Sequence, residues 1–590
     1  MKRGWAVFGL LAFVMSSAAH AQPVRWQAEV ETRLTELRSR ADAELVDEAA
    51  AAALLSALDE LLAAMAVHAS PRDERLLVEL ARTRRVVQLA AEGHDAGSWY
   101  EYLSEPRGPG ATLAFLVGPH DDPRRVLGVL AELRERFGDE PIARYDALVA
   151  ALCVVHDGEE LFTRRVNENT PRSPGPVALF DYYTTNEPRM LFGLRDVPAE
   201  LHVFVVDAVG YISELEWALT QHQGDRAVGE RFFDIAYDYE HARTGRPKAV
   251  TRKGYTLPNI AELGGVCADQ CHYAVTVGKA IGVPTAYVTG RGGEVGHAWV
   301  GFLEARGRGA AWNFDVGRYD EYQGVRGVLL DPQTMQMIGD DELGLLARLT
   351  TVNQRQRHAA AAWLDAAETI RRGVHPAKLD NAPSSTKDEP PRERILELAE
   401  RALRKNPADR RGWSIVRDAV ADPQMPMQGR IRWSQIAIRL CEDAGAEHFM
   451  VHMVEPMISS MGDPKDRISA WERVLKHVRS KKDLRARIRL LQAADAIERG
   501  DKHGAYLAYA DVFENTLNDT PQSRYAIAGA VRMLEQDGKH GQAAKLLADV
   551  LARVDRPVEA AAFTSSSNYA FVRTLASAYS AKHRVPIEGL

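Results

Sequence analysis

The segment that decides the fold reads GGVCADQCHYAVTVGKAIGVPTAYVTGRGGEVGHAWVGFLEARGRGAAWNFD and spans residues 264–315. Its first part, from Cys267 onward, is apolar at helical spacing and ends in Gly-Val-Pro, a typical helix stop signal. β-branched and aromatic residues then cluster in three short segments, at residues 285–289, 297–303 and 311–315. One helix followed by successive antiparallel strands predicts an α+β fold rather than a doubly wound parallel sheet.

Cys267, His297 and Asp315 are the candidate catalytic residues of this segment. The amides at a helix start lower the pKa of a nearby thiol and bind an oxyanion, so Cys267 is suited to act as a nucleophile. His297 could accept the thiol proton, and either Asn313 or Asp315 on the next strand could orient the imidazole. Asp315 is the better choice because a carboxylate also stabilises the imidazolium. Each residue alone has an ordinary structural role, whereas the three together predict a cysteine hydrolase or acyltransferase.

The segment resembles the core of the transglutaminase-like superfamily. The resemblance extends over residues 201–332 and rests on four motifs: GVCAD at 265–269, IGVPTAYV at 281–288, GHAWV at 296–300 and WNFD at 312–315. It implies a papain-like core in which Cys267, His297 and Asp315 form a Cys-His-Asp triad. The expected reaction passes through a thioester that water or an amine resolves, and it requires neither a cofactor nor a metal ion.

Two features depart from the animal transglutaminases. The segments that flank the core are helical by pattern, and the sequence has no acidic loop of calcium-ligand form. Many members of the superfamily also complete the oxyanion hole with an upstream aromatic or amide side chain. Four residues are candidates for that role, and spacing alone does not choose among them: Tyr237, Tyr239, Tyr255 and Asn259.

The other cysteines indicate no metal site and no disulfide framework. Cys267, Cys271 and His272 are close in sequence, but no second ligand pair follows at zinc-finger spacing. His272 is also expected to point away from Cys267 on the helix. The helical, apolar surroundings of Cys153, Cys271 and Cys441 favour small buried residues.

The N-terminus has the three parts of a secretory signal peptide. Residues 1–3 are basic, an apolar run follows, and Ala19-His20-Ala21 is a typical cleavage site. We therefore expect a mature protein that is secreted or periplasmic. A retained membrane anchor is the alternative, although the run is shorter than the roughly 20 residues that span a bilayer. No later stretch is predicted to cross a membrane, because charges interrupt the Ala-rich run near residues 49–66.

The chain of 590 residues is too long for one core. The predicted parts are the signal peptide at 1–21, a helical domain at 22–177, the transglutaminase-like domain at 178–350, a helix and linker at 351–395, and a helical-repeat domain at 396–590. Two Lys-His-Gly motifs start at residues 502 and 539, and this spacing is close to the length of a tetratricopeptide-like repeat. Within the central domain, residues 201–209 (LHVFVVDAV) are predicted to form a strand.

The expected function is an exported, cysteine-dependent acyl transfer on peptide or amide bonds, with hydrolysis favoured over cross-linking. The substrate would be a protein or peptide, and the helical repeats could hold a protein partner. A net charge of -7 with scattered basic residues gives no reason to expect nucleic acid. The alternative is a scaffold that binds peptides through the repeats and has no catalytic activity.

Overall fold

The computed structural model describes residues 25–106, 108–158, 170–292, 295–319, 322–380, 382, 391–443, 446–478, 480–556 and 567–590. The predicted signal peptide lies outside the described residues. Helices make up 67% of the structure, and the described residues contain one antiparallel sheet of five strands. The coarse prediction of an α+β protein with helical regions is therefore confirmed.

The N-terminal part of the chain is a helical bundle. Its helices are α1 (Arg25–Glu44), α2 (Glu48–His68), α3 (Glu74–Ala90), α4 (Ala96–Ser104), α5 (Gly110–Leu116), α6 (Pro123–Phe137), α7 (Asp139–Arg144) and α8 (Asp146–Val155). Among the described helices, α2 alone has a length and composition that would suit a membrane span. Its residues Leu54, Leu58 and Leu62 are buried in the bundle core, and Asp59 forms an ion pair with Arg84 of α3 at 2.6 Å.

The central part combines short helices with the sheet. Its elements are α9 (Pro176–Thr185), α10 (Ala199–Val206), α11 (Ile212–His222), α12 (Tyr239–Thr244), α13 (Ala249–Lys253), α14 (Leu257–Leu263), α15 (Cys267–Ala280), β1 (Thr285–Gly292), β2 (Val295–Arg306), β3 (Gly309–Asn313), β4 (Val328–Leu330), β5 (Met337–Gly339) and α16 (Asp340–Leu346). The strand order is β3-β2-β1-β4-β5, and every pair is antiparallel.

Helix α15 packs on β1 and β2. Thr285 of β1 donates a hydrogen bond to the carbonyl oxygen of Val275 at 2.8 Å, and the Cys271 thiol donates to the carbonyl oxygen of Trp299 at 3.1 Å. Gly282 ends the helix with φ +76°, as its stop signal predicts. The sequence pattern therefore located this helix and the first two strands, whereas it placed the third strand two residues too far along the chain, since β3 ends at Asn313.

The predicted strand at residues 201–209 is wrong, because helix α10 occupies most of it. Residues 201–206 are all buried, so the helix has no polar face that would give its sequence a helical period. An apolar run of β-branched residues without such a period fits a buried strand and a buried helix equally well. Tertiary packing decides between them here.

The C-terminal part is helical throughout the described residues. Its helices are α17 (Gln354–Arg371), α18 (Pro391–Lys405), α19 (Arg410–Ala421), α20 (Met427–Asp443), α21 (Glu447–Ser459), α22 (Pro464–Leu475), α23 (Lys482–Glu498), α24 (Lys502–Asn515), α25 (Ser523–Gln536), α26 (His540–Arg553) and α27 (Asn568–His583). Helix α17 belongs to the core between the N- and C-terminal helices. Its Asp365 forms an ion pair with Arg85 of α3 at 2.5 Å and another with Arg411 of α19 at 3.0 Å.

The two Lys-His-Gly motifs adjoin equivalent turns, but their register differs by one residue: the first begins two residues after Gly500 and the second one residue after Gly538. Gly500 and Gly538 both adopt positive φ, at +76° and +70°. The next N–H group in each turn reaches back to the helix: Asp501 to Ala496, and Lys539 to Leu534, each at 2.8 Å. The same turn therefore joins α23 to α24 and α25 to α26, which agrees with a repeated helix pair.

Candidate active site

Cys267 is the first residue of α15, and a tight backbone approach fixes where it lies. Gly264 has φ +75°, and a Cβ atom there would lie 2.4 Å from the carbonyl oxygen of Ala236. The N–H of Gly265 donates to that oxygen at 2.9 Å, and Gly265 forms a bridge with Tyr237. Only glycine tolerates such an approach and conformation. The glycine pair thus brings the segment that carries Tyr237 against the start of α15.

Asp269 anchors the first turn of this helix. It is 0% exposed and accepts hydrogen bonds from the Val266 N–H at 2.8 Å, the Tyr255 hydroxyl at 2.5 Å and the Lys248 ammonium at 2.6 Å. A carboxylate in the first turn interacts favourably with the helix dipole, and Lys248 compensates its charge. Asp269 therefore stabilises the helix end at which Cys267 lies.

Cys267 is a partly exposed residue, whereas the other three cysteines are buried; all four thiols are free. Burial raises the pKa of Cys267 above its ordinary value, while hydrogen bonds from the backbone N–H groups of Ala298 and Ala268 oppose the rise. The first N–H groups of a helix have no acceptor within it. The sulfur thus lies between the start of α15 and the backbone of β2, next to amides that can bind an oxyanion.

His297 is 4% exposed, and its imidazole is fixed by a backbone group. Its Nε2 atom donates to the carbonyl oxygen of Gly317 at 2.6 Å, because a carbonyl oxygen only accepts. The unprotonated nitrogen of the neutral ring is therefore Nδ1, which is the atom that can take a proton. The ring also stacks on Tyr319, with centroids 4.3 Å apart, and packs against Tyr322 at 4.7 Å.

Asp315 does not join this arrangement, contrary to the prediction from its spacing. Strand β3 ends at Asn313, so alternation along the strand no longer directs the Asp315 side chain. Asp315 is exposed, and within the described part of the chain its carboxylate forms no hydrogen bond or ion pair. The chain turns immediately afterwards and presents the Gly317 carbonyl to His297 instead. The orienting group is thus a backbone oxygen, not a carboxylate.

Tyr237 lies near both the Cys267 thiol and the tyrosines that pack on the His297 imidazole. Burial raises the pKa of its hydroxyl, and Cys267, Tyr319 and Tyr322 contribute to the rise by their proximity. Since Tyr319 and Tyr322 also pack on His297, the thiol and the imidazole border one aromatic cluster. The Tyr237 hydroxyl stays protonated at neutral pH and can donate a hydrogen bond.

The structure distinguishes among the four candidates for an oxyanion-hole side chain. The Tyr255 hydroxyl donates its hydrogen bond to Asp269, and the Asn259 amide donates to the Gly254 carbonyl oxygen at 2.9 Å. Tyr239 is 57% exposed and touches the ring of Tyr237 rather than the sulfur. Tyr237 is therefore the candidate that remains, and its hydroxyl interacts electrostatically with the Cys267 thiol.

Both reacting groups are neutral at pH 7. Burial lowers the pKa of His297 to about 4, and the hydrogen bond to Gly317 opposes this only in part. Burial raises the pKa of the Cys267 thiol. A preformed thiolate–imidazolium pair would need the opposite order of pKa values. The arrangement suits an imidazole that removes the thiol proton during the attack, which is general-base catalysis.

Sequence reasoning missed Gly317, Tyr319 and Tyr322. A backbone carbonyl has no sequence signature, so no pattern could have identified the Gly317 oxygen. The two tyrosines follow the third strand and are three residues apart, and this pair of aromatic residues near His297 could have been identified from the sequence. In the part of the chain that the structure describes, no group of three or more His, Cys, Asp or Glu side chains could hold a metal ion.

A scan against protein-family models finds no match to this chain, and a search of the curated proteins finds no significant match either.

Proposed function

We propose that this protein is a cysteine-dependent acyl-transfer enzyme that acts on peptide or amide bonds through a thioester. The observation that carries the proposal is the position of Cys267, a partly exposed residue at a helix start whose thiol borders the same aromatic cluster as the fixed imidazole of His297. A thiol beside unpaired amides, together with a base of defined tautomer, is the minimum that acyl transfer requires.

In the proposed mechanism, the Nδ1 atom of His297 takes the proton from Cys267 as the sulfur attacks the carbonyl carbon. The Gly317 carbonyl holds the ring in the tautomer that this step needs. The backbone N–H groups of Cys267 and Ala268, with the Tyr237 hydroxyl, bind the oxyanion. The imidazolium then gives its proton to the leaving amine, and the thioester remains on the sulfur.

The fold proposed for the central part is a papain-like core of the transglutaminase type. Support comes from a nucleophile helix packed on an antiparallel sheet, with the base on the second strand. The Asp315 carboxylate, which is exposed and does not contact His297, is a departure from that family. The proposed type of the C-terminal helices is a tetratricopeptide-like solenoid, which the two equivalent glycine turns support.

Hydrolysis is proposed over cross-linking. Cys267 is a partly exposed residue, which favours access of water to the thioester. Residues 1–21 support export to the periplasm or the medium, where peptide and cell-wall amides are available as substrates.

The test uses p-nitrophenyl acetate, whose acyl group forms a thioester with a reactive cysteine. We expect a burst of p-nitrophenolate equal to the enzyme concentration, and an acetyl adduct on the peptide that contains Cys267. Cys267→Ala should abolish the burst, whereas Cys271→Ala, one helical turn further on, should retain it. A burst that survives Cys267→Ala would contradict the proposal. Peptide and cell-wall amide substrates, with and without a primary amine, then separate hydrolysis from cross-linking.

A second function, peptide binding without catalysis, is favoured by one feature of the C-terminal helices. A cleft of about 400 Å³ has an apolar floor of Ile438, Ile458 and Val474. Three cations line it and form no ion pair with any residue in the described ranges: Arg439, Arg473 and Lys476. The one carboxylate in the lining, Glu442, contacts the His477 ring at 2.9 Å. This combination fits an acidic peptide with apolar side chains.

Fluorescence anisotropy with an acidic and a basic peptide of equal length tests this function. Arg439→Glu should weaken binding of the acidic peptide, and Lys545→Glu, at an exposed lysine of α26, should not. If both peptides bind equally, the cleft does not select by charge.

A further inference from the structure

The loop of residues 316–327, which joins β3 to β4, supplies the groups that hold His297. Gly317 accepts the hydrogen bond from Nε2, and the rings of Tyr319 and Tyr322 enclose the imidazole. Residues 320 and 321 lie outside the described ranges. The orientation of the base therefore depends on where this loop lies.

The Arg318 side chain stabilises the loop by bonding to other residues of the same loop. Its side chain donates to the carbonyl oxygens of Tyr322, at 3.0 Å, and of Val325. The guanidinium also lies 4.8 Å from the ring centroid of Trp299 and forms an ion pair with Asp340 of α16 at 3.5 Å. A planar guanidinium that bonds two carbonyls at once fixes the curvature of the backbone.

The tip of the loop rests on the C-terminal helices. A Cβ atom added to Gly324 would lie 3.0 Å from the Cβ of Asp483 and 3.1 Å from the hydroxyl of Thr520. Thr520 donates to the carbonyl oxygen of Gln323 at 3.4 Å. Asp483 is held in turn by the ring of His448 at 2.8 Å. The contact is thus closely packed and includes a hydrogen bond.

We propose that Asp483 and Thr520, in the C-terminal helical region, are positioning residues of the active site, because they hold the described part of the loop, residues 316–319 and 322–327, where Gly317 orients His297. The inference rests on the proposed acyl-transfer function and extends it. The C-terminal helices then do more than offer a binding surface: the base is correctly oriented only while they support the loop. A displacement of about 1 Å in such a group can cost roughly 100-fold in rate.

Gly324→Ala is the direct test, because the added methyl group pushes the loop away from Asp483. Gly307→Ala is the matched control: Gly307 also has positive φ, +60° against +75°, but nothing lies within 4 Å of its added Cβ atom. Both variants therefore carry similar backbone strain. Thr520→Val removes the hydrogen bond to Gln323 and the one that the hydroxyl accepts from the Gln522 N–H at 3.3 Å, and it serves as a milder second variant.

The measurement is the rate of the p-nitrophenolate burst in the full-length protein, followed from pH 3 to pH 9. We expect Gly324→Ala to slow the burst about 10- to 100-fold with unchanged amplitude. The pH below which the burst rate falls should rise from about 4, because a displaced loop exposes His297 to water and so raises its pKa. Thr520→Val should change the rate in the same direction, and Gly307→Ala should match the wild type.

The inference is overturned if Gly324→Ala keeps the wild-type rate and acid limb while His297→Ala loses them, and the acyl-transfer function then still stands. Equal losses in Gly324→Ala and Gly307→Ala would assign the effect to backbone strain and also overturn it. The absence of any burst that depends on Cys267 would instead refute the proposed function itself.

Discussion

The Nε2 atom of His297 lies 2.6 Å from the carbonyl oxygen of Gly317 and donates its hydrogen bond there. A carbonyl fixes the tautomer and the ring plane as a carboxylate would, but it carries no negative charge to stabilise the imidazolium. The low pKa of His297, about 4, is consistent with that difference. The base at this site is therefore well oriented but weak, and its conjugate acid is a strong proton donor to a leaving amine.

Asp315 should be dispensable. Its exposed side chain forms no hydrogen bond or ion pair with residues in the described ranges, so Asp315→Asn removes no contact with the imidazole. We expect the burst rate of Asp315→Asn to stay within about twofold of the wild type, since surface substitutions have small effects. A loss of 100-fold or more would show that the loop closes onto His297 in solution and would restore the Cys-His-Asp triad.

Tyr237→Phe should slow acylation about 100-fold if its hydroxyl binds the oxyanion, since loss of one such donor has this effect. The exposed neighbour Tyr239 provides the control, and Tyr239→Phe should leave the burst rate unchanged. The two variants differ from the wild type by the same single atom. Equal rates for all three proteins would remove Tyr237 from the mechanism and leave the backbone amides as the oxyanion hole.

Asp269→Asn should destabilise the protein by about 3–5 kcal/mol, because it leaves the Lys248 ammonium without its buried counter-ion. The exposed pair Lys253–Glu262 lies in the same region, and Glu262→Gln should cost about 1 kcal/mol or less. Urea denaturation of the three proteins gives both differences in the free energy of unfolding. Similar losses in the two variants would mean that Asp269 does not anchor the start of α15.

Acid should destabilise the folded state through its buried histidines. Burial lowers the pKa of each of four histidines from 6.5 to about 4: His202, His272, His297 and His358. The unfolded chain thus binds more protons between these values, so the stability is complete above pH 6.5 and is lost as the pH falls towards 4. Each histidine contributes up to about 3 kcal/mol.

Urea midpoints between pH 7 and pH 4 measure this loss. His202→Asn keeps a donor for the Leu194 carbonyl but cannot be protonated, so its stability should fall less steeply with acid. A stability that stays constant from pH 6.5 to pH 4 would contradict the burial of these rings.

The helix that begins at Cys267 and the strands after it could be predicted because their periods and stop signals are local. The helix at residues 201–206 could not be predicted, since a helix segment that is buried on all sides has the same composition as a buried strand. Tertiary contacts decide between a helix and a strand, and the sequence of a single segment does not contain that information.

Two of the three predicted site residues, Cys267 and His297, border the same cluster. The prediction for Asp315 failed because the position of this residue depends on where β3 ends. Pairing with β2, rather than composition, sets that end. The Gly317 oxygen that replaces the Asp315 carboxylate is a backbone carbonyl, and every residue has such a carbonyl. Only the folded loop shows which carbonyl meets the imidazole.

The most direct test of the central claim compares acetylation of Cys267 in the wild type and in His297→Ala, in H₂O and in D₂O at pH 7. General-base catalysis predicts a rate at least about 100-fold higher in the wild type. It also predicts a normal solvent isotope effect that His297→Ala loses, because the proton moves during the attack. Equal rates in the two proteins, with no isotope effect in either, would show that the thiol reacts without the imidazole and would contradict the proposed chemistry.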